Sequence, residues 1–107
     1  MTVIKKNFDS YSIVHSSNNS GYEADIACFT TGTTNMIGRI IFFKDGAPVP
    51  PNVSLAYGPE IHFPLSRLRE VVDTLRQEKP LYLWLDTDSL VGAVGTTDKE
   101  PAGEEEG

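Results

Sequence analysis

The chain holds a single cysteine, Cys28, and only two histidines, His15 and His62. One thiol cannot close an internal disulfide, and no third metal ligand stands at recognisable spacing from the histidines. No apolar run approaches the roughly 18 residues that a membrane span needs. The opening stretch Met1-Thr2-Val3-Ile4-Lys5-Lys6-Asn7 lacks the apolar core of a secretory signal. A cytoplasmic location without a membrane partner is therefore expected. A glycine-rich phosphate loop is missing too, because Gly92-Ala93-Val94-Gly95 stands too near the end to lead into a helix. No cofactor and no bound metal are expected.

Positive charge is scarce. Nine Lys and Arg face fifteen Asp and Glu, a formal net charge of −6 over 107 residues. The imbalance is uneven: residues 1–95 hold eight basic and ten acidic side chains, residues 96–107 one and five. This reads as one near-neutral domain over 1–95 and a disordered acidic tail over 96–107. A near-neutral domain is a poor electrostatic trap for nucleic acid. Apolar residues make up 39% of the chain, enough for one modest core at this length.

Residues 1–9 read as a loose arm. Tyr11–Ser16 is a short β-branched and aromatic run, and Tyr22–Thr30 alternates with period two, with Tyr22, Ala24, Ile26 and Cys28 on one face. Met36–Phe43 is apolar on both faces, as a central strand is. Asp45-Gly46 gives a turn, and Pro48, Pro50 and Pro51 keep the next connection extended. Val53–Tyr57 is a fourth strand, continued by Ile61–Phe63. Leu65, Leu68, Val71, Val72 and Leu75 then form one apolar stripe at helical spacing, opened by Pro64 and stopped by Pro80 near Glu78. Leu81–Asp86 is a further strand and Leu90–Gly95 a short last one. The expected fold is α+β: an antiparallel four- to five-stranded meander with one amphipathic helix on one face.

One helix cannot cover both sides of such a sheet. If it packs on Ile26, Ile40, Leu83 and Leu85, then Phe29, Ile37, Arg39, Ile41, Phe43, Tyr82 and Trp84 point away from it. A patch with four aromatics is larger than a monomer usually leaves bare. The leading expectation is a homodimer that buries it, within a non-catalytic binding or interaction module. The alternative is a stacking platform for single-stranded nucleic acid, with Arg39 and Lys44 contacting phosphates; Glu23 and Asp25 on the same face count against it.

Four strands followed by an amphipathic helix over Tyr11–Glu78, with Pro64-Leu65-Ser66-Arg67-Leu68 opening the helix, resembles the PC4/Whirly fold of single-stranded-DNA-binding regulators. The resemblance is one of element order. It implies dimerisation and a sheet face that takes single strands. The chain departs from that pattern in its near-neutral domain and in the strand Leu81–Asp86 after the helix.

The strand ending Leu85-Asp86-Thr87-Asp88 resembles the first motif of haloacid-dehalogenase phosphatases, in which the first Asp is the nucleophile. Only eighteen residues follow Ser89, too few for the rest of that family's doubly wound domain. The string reads as a polar turn. Cys28, on the inner face, reads as a small apolar residue, so no catalytic residue is assigned and an enzyme of unknown type is the remote alternative.

Overall fold

The computed structural model describes residues 2–17, 21–30, 32, 34–77 and 81–96. The acidic tail beyond Thr96 and the expected helix stop at Glu78 and Pro80 lie outside the described residues. The protein is α+β. The described residues form eight strands: β1 (Val3–Phe8), β2 (Ser10–His15), β3 (Tyr22–Phe29), β4 (Met36–Phe43), β5 (Val53–Leu55), β6 (Gly58–Pro64), β7 (Leu81–Asp86) and β8 (Gly92–Thr96). Between β6 and β7 runs a 3-10 turn, Leu65–Arg67, that leads into the helix α1 (Leu68–Gln77).

The strands form two sheets, ordered β1-β7-β8 and β2-β3-β4-β6-β5. Alternation explains their packing. Ala24, Ile26 and Cys28 of β3, Ile40 and Phe42 of β4 and Ile61 of β6 supply one side of the core, and Phe8, Leu81, Leu83 and Leu85 supply the other. Each of these is at most 1% exposed. Val71 and Leu75 join the same core from α1, with Leu68 and Val72 packed partly against it. The helical stripe thus turns inward as its spacing predicts.

Three features differ from the sequence expectation. The arm at residues 1–9 is mostly strand: β1 pairs antiparallel with β7, and Phe8, opposite Leu81, is buried. Lys5 and Lys6 hide this signal, since only Ile4 and Phe8 mark an apolar side. The strands also divide between two sheets, because β1 and β2 follow one another around Asp9 yet pair with β7 and β3 respectively. Finally, the larger sheet is mixed. β4 and β6 run parallel, with Arg39 beside Glu60 and Ile41 beside His62, while β5 forms an antiparallel hairpin with β6. The long connection through Pro48, Pro50 and Pro51 gives the chain room to return in the parallel sense.

Candidate functional site

The residues expected on one open face occupy two. In the five-stranded sheet, Arg39, Ile41 and Phe43 alternate with core-facing Ile40 and Phe42, and so lie on the outer side. Phe29 ends β3 beside Met36 at a register shift and is half-buried. Ile37 packs partly against the core instead of standing on the reverse. Tyr82 and Trp84 belong to the three-stranded sheet. Since the core lies between the sheets, these two rings face away from the Arg39 side. A single patch containing all seven side chains does not form.

The outer side of the larger sheet carries a polar network. Arg39 Nη2 donates to Asp25 Oδ2 at 3.0 Å, and its Nη1 lies 3.7 Å from Glu60 Oε2. Tyr57 donates its hydroxyl to Glu60 Oε2 at 2.5 Å. His62 Nε2 meets Glu60 Oε1 at 2.8 Å, and Nδ1 meets the Pro50 carbonyl at 3.0 Å. That carbonyl can only accept, so Nδ1 carries a proton. Asn52 ties the edge together, accepting from His62 N through Oδ1 at 2.6 Å and donating to Leu90 O through Nδ2 at 3.0 Å.

These contacts set the charge states. Burial works against the Glu60 carboxylate, but hydrogen bonds from Tyr57 and His62 and the nearby charge of Arg39 hold its pKa below the ordinary value. Tyr57 is pushed up to about 12, by burial first and then by Glu60. For Arg39 burial again opposes the charge, and hydrogen bonds with Asp25 and Tyr57 outweigh it, raising the pKa. Arg39, expected to contact phosphate, is already engaged by two carboxylates. Lys44 lies just beyond β4 and is half-buried.

This side is also partly roofed. Pro50 belongs to the connection after β4, and its carbonyl accepts from His62 Nδ1 at 3.0 Å. Ile41, between Asp25 and His62 in the register, is only 5% exposed. Phe43 stands edge-on to both Tyr22 and His62, with ring centroids 6.3 and 5.1 Å apart.

The outer side of the three-stranded sheet is simpler. Tyr82 lies between Asn7 and Gly95, and Trp84 between Lys5 and Ala93. Beside the small residues of β8 the rings are half-buried, and Lys5 Nζ sits 4.7 Å from the Tyr82 ring centroid. Among the described residues Lys5 is the basic member of this face, in a stretch expected to be a loose arm.

The candidate chemical motifs are used structurally. Asp86 is buried, and its Oδ1 accepts from the backbone N–H of Asp88 at 2.9 Å and of Ser89 at 3.3 Å. It holds the β7–β8 turn, in which Leu90 takes a positive φ of 63°. Burial pushes the Cys28 thiol up to about 12, far from the reactive thiolate range. His15 is exposed at the end of β2. No group of three or more His, Cys, Asp or Glu among the described residues is arranged to hold a metal ion. Sequence reasoning missed Tyr57, Glu60 and His62 as a unit. Glu60 and His62 sit two apart in a strand, a spacing that places both on one face, but their link to Arg39 depends on the parallel β4–β6 pairing.

No protein-family model, curated protein or solved structure matches this chain.

Proposed function

We propose that the chain is a non-catalytic, homodimeric interaction module whose outer sheet surfaces make its contacts. The observation that carries this reading is the half-buried pair Tyr82 and Trp84, set on a sheet face between Asn7, Lys5, Ala93 and Gly95. Aromatic rings so placed offer a large contact area at low side-chain entropy cost, as interface residues do. The chemistry-bearing groups support the non-catalytic part. Asp86 is committed to a turn, Cys28 to the core, and Glu60 and His62 to one another.

Light scattering of the full chain tests the reading. A dimer is expected at concentrations of tens of micromolar, and a clean monomer there contradicts it. Trp84→Glu tests the face: unchanged partner binding and solubility would remove the rings from the contact surface. A PC4/Whirly-like role on single-stranded nucleic acid has less support, because Arg39 is neutralised by Asp25 and Glu60 and the Tyr82–Trp84 face offers one Lys. Salt-dependent quenching of Trp84 by a short oligonucleotide would revive it.

A further inference from the structure

Among the described residues the two sheets have four lateral edges, and a free edge is a template for another strand unless something blunts it. β1 carries Lys5 and Lys6. β5 has three residues and follows Pro50 and Pro51. β8 has five residues, of which Gly92 and Gly95 weaken a strand. β2 differs. Its six residues, Ser10-Tyr11-Ser12-Ile13-Val14-His15, include no Lys, Arg, Asp, Glu, Pro or Gly, and among the described residues only β3 pairs with it.

The ladder shows which groups face the free edge. Ser16 N donates to Glu23 O at 2.7 Å. Antiparallel pairs alternate between bonded and non-bonded, so Val14 and Ser12 also bond toward β3. Tyr11, Ile13 and His15 then direct their N–H and C=O groups outward.

We propose that β2 is the dimer seam: a second copy of this chain adds its own β2 antiparallel across a two-fold axis through Ile13, joining two five-stranded sheets into one. This rests on the homodimer reading above and places the self-contact at a sheet edge, with the outer sheet surfaces left for other contacts. The strand complements itself in this register. Ile13 faces Ile13 of the second copy, and Tyr11 faces His15, so all three outward residues are matched, giving about six backbone hydrogen bonds. Side-chain faces agree as well. Tyr11 and Ile13 both lie toward the core side. Ser12 and Val14, both exposed, the latter at 53%, meet on the opposite side. An axis through Ser12 would match Tyr11 with Ile13 and leave His15 unpaired. A one-residue offset would set core-side against outer side chains. The edge pairing leaves the Tyr82–Trp84 face open to another partner.

Two experiments on the full chain test the seam. His15 is exposed and its N–H points outward, so His15→Pro keeps the β2–β3 ladder and removes two bonds of the seam. Sedimentation equilibrium should show the dimer weakened by about thirty-fold, with the circular dichroism unchanged. Mixing Ser12→Cys protein with Val14→Cys protein under mild oxidation should give a disulfide-linked heterodimer, while Ser12→Cys alone should not cross-link. The buried Cys28 stays silent in both. A parent chain that is monomeric overturns both the seam and the homodimer reading. A dimer that His15→Pro does not weaken, with no cross-link in the mixture, overturns the seam alone. Cross-linking by Ser12→Cys alone overturns the register.

Discussion

On the outer side of the five-stranded sheet, Arg39, Asp25, Glu60, Tyr57 and His62 satisfy one another beneath a proline-containing connection. On the outer side of the three-stranded sheet, Tyr82 and Trp84 lie beside Gly95 and Ala93, with Lys5 near the Tyr82 ring. Both faces come from the same alternation of core and non-core residues. They differ in what their neighbours supply. Where adjacent strands bring opposite charges into register, the reverse of a sheet closes into a network that needs no partner. Where they bring small residues, rings stay partly bare, and that face is the one suited to contact.

Glycine substitutions should break this contrast most strongly. Gly58, at the β5–β6 turn, has φ of 140°, and an added Cβ would lie 1.9 Å from the Ile37 carbonyl oxygen. Gly58→Ala is expected to cost about 3–5 kcal/mol by denaturant unfolding, from strain plus a backbone clash. For Gly95→Ala the three atoms nearest the added Cβ all belong to the Tyr82 ring, with its hydroxyl oxygen at 2.8 Å. That ring is the far end of a side chain and can move, so the expected cost is about 1 kcal/mol.

Glu60→Gln is the next largest effect. It leaves Arg39 and His62 facing an uncharged amide, and about 2 kcal/mol of stability should be lost, against about 0.5 kcal/mol for Lys5→Ala on the ring-bearing face. Thermal unfolding of the two variants measures the difference directly.

The pH profile sharpens the same distinction. Glu60 has a depressed pKa in the folded state, so its contribution is present above its ordinary carboxylate value and is lost as pH falls through the lowered one. Tyr57 and Cys28 have raised values, both about 12, against ordinary values of 10.0 and 9.0. Their contributions are present below those ordinary values and fade as pH rises toward 12. Glu60→Gln should flatten the acid limb and leave the Cys28 part of the alkaline limb in place.

The inward half of the fold was legible in the sequence. Ile26, Ile40, Leu83, Leu85 and the stripe Leu68, Val71, Val72 and Leu75 all turn toward the core, because strand and helix periods are local properties of the chain. What was not legible is non-local. Period two states which side of β7 faces inward, but not that β7 pairs with β1 in a separate sheet; hence alternation alone sets Tyr82 and Trp84 beside Phe43. The network was hidden for the same reason. Arg39 was read as a free cation because its partner Glu60 lies twenty-one residues away, across a parallel pairing that only the Pro48–Pro51 connection makes possible.

Amide hydrogen exchange, read residue by residue along β2, tests self-association most directly. Val14, bonded to β3, should exchange slowly at every protein concentration. Tyr11, Ile13 and His15 should exchange slowly in concentrated solution and quickly on dilution. Fast exchange at those three amides at all concentrations would contradict the account.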